Sequence, residues 1–499
     1  MISKVVSAAP IGYEAEIIEV EGDSLKGLPS LQIVGMGNKA IDEAKDRVRS
    51  AIKNSDLDFP TKKITINLAP AELPKDGTYF DLPIAISILI LAGQIKQIEV
   101  KNTAFVGELS LSGELRPIKG ILNIVEKLKI KGIKTVFIPE DNLPQASLIT
   151  GIDIIGAKNI KDIFLHIKNE KLIKNIVNPN HKSIVKNTPI LDEIIGQAQA
   201  KRALTIAIAG RHNILMSGPP GTGKTMLAKT ALGLLPPLSP EETLEVSKIH
   251  SLGDDFTETL TERPFRAPHH TASKISLTGG GKKSSPGEIS LAHLGILFLD
   301  EIPEYQKSVL ESLRQPLEDR KITITRANYR TTYPANFMLI ATMNPCPCGF
   351  LGDETKECTC TQSQIQNYQR KLSGPLLDRI DMTIIVNRIS NKHLLTDKTM
   401  SKKQHTYAYS QIQSALKLQQ NRYNSCNKYN NEASLSDAKE LFKTSQEAKQ
   451  LLDLAAEKMD LSARAYLKTL KVSRTIADLD NSEVILPTHV SEALQYRFK

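Results

Sequence analysis

The sequence predicts an α/β protein with three structural regions: an α+β region in front, a parallel sheet covered by helices in the middle, and a helical C-terminal part. Three observations carry this reading. Between residues 191 and 389, strand-like runs (213–217, 296–299, 337–343) alternate with helical ones (223–234, 306–317), the βα pattern of a parallel sheet. A glycine-rich octapeptide stands where the first of those strands meets a helix. Residues 434–499 read as helix throughout, with no strand-like run.

The chain has 499 residues, 40% of them hydrophobic and 24% charged. That is enough for two to four domains of roughly 100–200 residues, each able to bury a core. Residues 1–166 mix short β-rich runs (64–68, 103–111, 135–138) with amphipathic stretches (40–53, 121–131), hence the α+β assignment. Residues 167–190 are rich in Lys and Asn with little apolar periodicity and read as a linker. The core spans 191–390, and 391–499 forms a basic segment followed by a helical lid. The longest apolar run, 82–93, is about half the length needed to cross ~30 Å of hydrocarbon. Residues 1–20 lack the apolar stretch of a signal peptide. The expectation is a cytoplasmic protein with no membrane segment. Lys and Arg number 64 against 55 Asp and Glu, a basic balance that permits a polyanionic partner.

The octapeptide is Gly218-Pro219-Pro220-Gly221-Thr222-Gly223-Lys224-Thr225. Its glycines let backbone N–H groups curl around phosphate oxygens at a helix N-terminus. Lys224 then reaches the β and γ phosphates, and Thr225 is placed to ligate Mg²⁺. The apolar strand 296–299 ends in Asp300 and Glu301, suited respectively to holding Mg²⁺ through water and to polarising an attacking water. A third strand ends at Asn344, either a second water-orienting group or a turn residue before Pro345. Arg379 sits among acids in 373–381; from the residues alone it either serves catalysis or pairs with Asp378 or Asp381 on a surface.

The order GPPGTGKT, ILFLDE, ATMN, LLDRID and LSARAY resembles AAA+ ATPases of the magnesium-chelatase/MCM branch. The phrases RPFRAPHHTAS (263–273), GEISLAHLGILFLDE (287–301) and SGPLLDRID (373–381) narrow the resemblance to the YifB/ComM family of magnesium-chelatase-like proteins. It implies a homo-hexamer in which Arg379 acts as a finger on the neighbouring subunit's ATP, and in which Arg464 is the sensor arginine of the lid. The front region resembles the Lon proteolytic domain (a ribosomal S5-like fold) through residues 74–77 and 106–113 followed by Pro117-Ile118. Aligned on these blocks, the Ser/Lys dyad positions carry Tyr79 and Leu122. No nucleophile or activating amine is left, so a degenerate, non-proteolytic domain is expected.

Cys346-Pro347-Cys348 and Cys358-Thr359-Cys360 flank nine residues and could meet around a tetrahedral Zn²⁺, or remain reduced cysteines in a loop. Basic residues gather in three places: the loop 279–285 with Lys282 and Lys283, the stretch 320–330, and the segment 391–431 with seven Lys and Arg against one Asp. The family resemblance places the first of these at a central pore, where it would contact DNA. The function expected is a hexameric, DNA-dependent, helicase-like ATPase using ATP and Mg²⁺, with branch migration of recombination intermediates in natural transformation implied by the resemblance. A metal-insertion ATPase subunit of the magnesium-chelatase type is the alternative.

Overall fold

The computed structural model describes residues 2–35, 39–72, 78–174, 189–253, 260, 262–281, 285–325, 330–353, 356–388 and 403–497. In the front region a seven-stranded mixed sheet is organised by one long hairpin. Strand Ile2–Ile11 pairs antiparallel with Glu14–Leu25, in the register Ile2 to Asp23, and runs parallel to Thr103–Phe105. The expected runs 64–68 and 135–138 are strands Lys63–Ala69 and Thr135–Pro139, while 103–111 divides into Thr103–Phe105 and Glu108–Leu109. The apolar run 82–93 becomes helix Asp81–Leu91, buried along its whole length. A helix apolar on every face belongs inside a core. No helix among the described residues is long and apolar enough to cross a membrane.

The central region holds a five-stranded, all-parallel sheet in the order Phe265–Arg266, Ile296–Leu299, Met338–Met343, Ile214–Ser217, Met382–Ile385. Alternation of side chains divides its strands between two cores. Ile214, Met216, Phe298 and Ile340 enter one apolar cluster, and Leu215, Leu297, Leu299 and Leu339 the other. Helices Lys403–Tyr423 and Ala463–Leu479 close over helix Ala198–Gly210. At their junction Asp478, fully buried, accepts from Arg474 Nε (3.1 Å), Arg422 Nη1 (2.8 Å) and Asn430 Nδ2 (2.8 Å). A buried carboxylate needs this many partners.

That network corrects part of the basic-segment expectation. Arg422 is committed to Asp478, Lys428 pairs with Asp437 at 2.8 Å, and Arg320 of the second basic stretch pairs with Glu432. These cations satisfy internal carboxylates instead of facing a polyanion. Residues 391–402 of that segment lie outside the described residues.

The front and central regions meet along a polar and aromatic seam. Lys248 Nζ lies 2.5 Å from Glu126, Gly120 N donates to Ser251 O at 2.7 Å, and the Tyr13 ring meets the Tyr333 ring edge-on at 5.8 Å.

Candidate active site

Strand Ile214–Ser217 lies inside the sheet, so its C-terminal end opens between the ends of two parallel neighbours, where open α/β sheets form their ligand crevices. The chain turns through 218–223, and helix Lys224–Leu234 begins. Gly221 and Gly223 hold φ values of +78° and +86°, which a side chain would resist. The first N–H groups of the helix have no intrahelical partner and face this turn. The Lys224 side chain folds back over it: Nζ donates to Gly218 O (2.6 Å) and Pro219 O (2.8 Å) and lies 3.3 Å from Asn344 Oδ1. Burial lowers the pKa of this amine, while Asp300 and Glu301 act in the opposite direction.

Thr225 Oγ1 donates to Asp300 Oδ2 at 3.1 Å. The other oxygen of Asp300 accepts from the hydroxyl of Thr342, which in turn accepts from the Glu301 N–H at 3.0 Å. Glu301 itself stands at φ +50° with an exposed side chain. The structure therefore brings Lys224, Thr225, Asp300 and Asn344 into one cluster and ties Glu301 to it through its backbone. Thr342 was not among the expected site residues. Its signal is a hydroxyl within an otherwise apolar strand, since a buried hydroxyl must find a partner.

Arg379 and Arg464 come together elsewhere. Both guanidinium groups bond the carboxylate of Glu318, Arg464 Nη2 at 2.6 Å, and Arg379 Nη1 also donates to Pro375 O at 2.7 Å. Burial pushes the Glu318 carboxyl upward, but the two arginines outweigh it and hold the pKa below the usual carboxylate range. Arg379 thus takes neither of the partners expected from the sequence. Asp381 instead accepts from the Asn213 N–H at 2.8 Å. No feature of the local sequence singles out Glu318.

Cys346, Cys348, Cys358 and Cys360 place their sulfurs within 4.8 Å of one another. Lys282 and Lys283 lie outside the described residues, as do 74–77; the segments flanking the two lysines, Gly279–Gly280 and Ser285–Pro286, pair antiparallel. In the front region Leu122 is fully buried in an apolar cluster against which Tyr79 packs. Burial and Glu108 push the Tyr79 phenol up to about 12.

This sheet order and this cluster at its edge define the class: a P-loop protein of the AAA+ type. The comparisons with known proteins are more specific. Residues 190–394 match the family described as magnesium chelatase, subunit ChlI; residues 20–142 match subunit ChlI of Mg-chelatase, and 403–497 its C-terminal part. The chain is 40% identical to competence protein ComM of Haemophilus influenzae over 99% of its own length and 97% of that protein. It is 39% identical to the uncharacterized protein YifB of Escherichia coli with the same coverage. A Lon protease of Leptospira interrogans is 30% identical over 34% of the chain and 21% of that protein, in keeping with Lon-like homology in the front region. The chain belongs to the YifB/ComM family of magnesium-chelatase-like AAA+ proteins.

That membership suggests ATPase activity and implies ATP and Mg²⁺. The residues fit both. Lys224 is a partly desolvated amine whose partners are two carbonyls and an amide oxygen, all replaceable by phosphate oxygens. Thr225 and Asp300 offer the hydroxyl and carboxylate oxygens that a hard cation takes.

Proposed function

We propose that this protein is a ring-forming, DNA-dependent ATPase whose hydrolysis site is completed by a neighbouring copy. The observation that carries the proposal is the division of the charged residues into two groups. Lys224, Thr225, Asp300 and Asn344 gather at the phosphate loop, whereas Arg379 and Arg464 gather on Glu318. Arg379 does not bond the phosphate-loop cluster, as expected of a finger that serves the next subunit's site in a hexamer, and Arg464 of the lid shares its carboxylate partner.

In this reading Lys224 and the turn 218–223 hold the phosphates, and Thr225 and Asp300 hold Mg²⁺. Glu301 takes the proton of the attacking water while Asn344 orients it. Bound Mg-ATP supplies the phosphoanhydride bond whose cleavage drives the cycle. Arg379 of one subunit stabilises charge on the phosphates held by another, and Arg464 is the sensor arginine of the lid. Residues 1–166 form a non-proteolytic Lon-like domain, 167–190 a linker, 191–390 the ATPase core and 391–499 the basic segment and lid. Lys282 and Lys283 contact the backbone of the threaded strand.

The name of the Haemophilus relative supports placing the motor in competence. The substrate we assign is DNA, single-stranded or branched, with branch migration as the work done in the cytoplasm. The test is the ATPase rate of the full chain with single-stranded DNA, forked DNA, porphyrin or unfolded protein added. Stimulation by DNA, weakened in the double variant Lys282→Ala/Lys283→Ala while basal turnover persists, is the expected result. Stimulation by porphyrin and not by DNA would favour the metal-insertion reading.

A further inference from the structure

We propose that the four cysteines bind one Zn²⁺ whose purpose is to brace the phosphate loop, so that metal occupancy sets nucleotide affinity. The coupling half of this inference rests on the nucleotide-binding reading above; the metal half does not.

The thiol geometry comes first. Cys346 and Cys348 sulfurs are 3.4 Å apart, and each lies 3.6 Å from Cys358 Sγ. A ZnS₄ tetrahedron with bonds of ~2.3 Å has edges of ~3.8 Å, so these thiols need move little to close on one ion. A multi-iron cluster would hold its thiolates farther apart. The Cys348 N–H already points at Cys360 Sγ at 3.3 Å, the kind of outer hydrogen bond that orients a metal-bound ligand. All four are free cysteines, with Cys346 buried and the others half-buried. Among the described residues of 345–360 there is neither helix nor strand. A loop without a ladder of backbone hydrogen bonds or a core of its own needs another source of order, and a structural metal supplies it.

The position of the loop gives the metal its consequence. The loop starts two residues beyond Asn344, whose amide oxygen meets Lys224 Nζ. Gly349, next to Cys348, lies directly on the phosphate loop at φ +85°; a Cβ there would come within 2.8 Å of Pro220 Cδ. The loop is fixed at its far end by Thr361, which caps helix Gln362–Gln369, and Gln369 Nε2 returns to Pro345 O at 3.2 Å. The first thiol pair therefore stands between two contacts with the nucleotide site, Asn344 on one side and Gly349 on the other. Zinc joining 346 and 348 to 358 and 360 closes the loop, holds Gly349 against Pro220 and fixes where Asn344 presents its amide. Without the metal both contacts lose their support.

The experiment uses the full chain purified from zinc-supplemented medium. Metal analysis should give one zinc per chain and no iron, falling to background in the double variant Cys346→Ser/Cys358→Ser. Binding of a fluorescent ATP analogue should weaken by about tenfold in that variant, within the usual range of coupling between sites. Gly349→Ala keeps all four thiols and should retain its zinc while also losing nucleotide affinity, which separates the brace from a general failure to fold. Lys224→Ala should keep zinc and lose nucleotide. Absence of zinc from the unmodified chain, or iron in its place, would overturn the site. A cysteine variant that is folded, zinc-free and unchanged in nucleotide affinity would overturn the brace. Zinc at one per chain in a protein that binds no nucleotide would leave the metal site standing and overturn the coupling together with the ATPase reading.

Discussion

Replacing Thr342 by Val tests how the acidic pair is held. Thr342 is fully buried, and its one hydroxyl makes two bonds, accepting from the Glu301 N–H and donating to the Asp300 carboxylate. Valine keeps the shape, so little cavity cost arises and the loss is that of hydrogen bonds. A bond to a charged group contributes about 1.5–3 kcal/mol and a neutral one about 0.5–1.5 kcal/mol, so the expected loss is about 2–4 kcal/mol. At about 2–4 °C per kcal/mol for a unit of this size, the melting temperature should fall by about 5–15 °C. Turnover should suffer as well, because the Glu301 backbone, held at φ +50°, loses its anchor. Misplacement of a catalytic group by about 1 Å costs on the order of 100-fold, so a fall in kcat of about 10- to 100-fold is expected, with nucleotide affinity changing far less. Thr342→Ser keeps the hydroxyl and should recover most of the rate. Phosphate release at saturating ATP and a thermal melt read both effects. Unmodified turnover and melting in Thr342→Val would refute the argument that this hydroxyl organises the site.

Three further outcomes are expected, two at the nucleotide site and its arginines and one at a buried histidine. Lys224→Ala should abolish nucleotide binding, whereas Glu301→Gln should bind ATP without turning it over; near-normal turnover by the Glu301 variant removes that residue from the mechanism. Arg379→Ala should bind ATP but not hydrolyse it, and mixing it with Glu301→Gln should restore activity, since one interface can draw Glu301 and Arg379 from different chains. Assembled mixed rings with no rescue would rule out a trans role. His212, bonded through Nε2 to Thr475 at 2.8 Å, is pushed down to about 4 by burial, with Asp381 opposing and Lys471 and Lys468 adding to the shift. The unfolded chain, with an ordinary value near 6.5, takes up the proton first. Stability should therefore fall as pH drops from about 6.5 toward 4, by on the order of 3 kcal/mol. Denaturant midpoints across that range should vary less in His212→Gln, and an equal slope in both proteins would count against the assignment.

The chemistry of the nucleotide site was legible in the sequence because it is local. A glycine-rich turn must join a strand to a helix within eight residues, and Asp300 and Glu301 must stand at a strand end; both patterns survive without knowledge of the fold. The three inner strands of the parallel sheet were legible for a related reason: they are buried on both faces and read as nearly unbroken apolar runs, whereas the edge strands Phe265–Arg266 and Met382–Ile385, half-covered and short, were not read. The front hairpin Ile2–Leu25 was not read. Its ten-pair register depends on a partner strand rather than on a signal within either strand, although the burial alternation along residues 2–7 shows the period afterwards.

What only the tertiary structure decided were the encounters between distant segments. Thr342 meets Asp300 across 42 positions, and Arg379 and Arg464 meet on Glu318 across 61 and 146. Arg422 turns inward to Asp478 where charge counting had it facing outward. Gly349 settles on Pro220 and joins the cysteine loop to the phosphate loop. The sequence by itself determined which groups are present and which short turns they occupy, because propensity, periodicity and motif spacing act over a few residues. Which carboxylate neutralises which arginine is set by sheet order and helix packing, and a linear charge pattern carries no record of either.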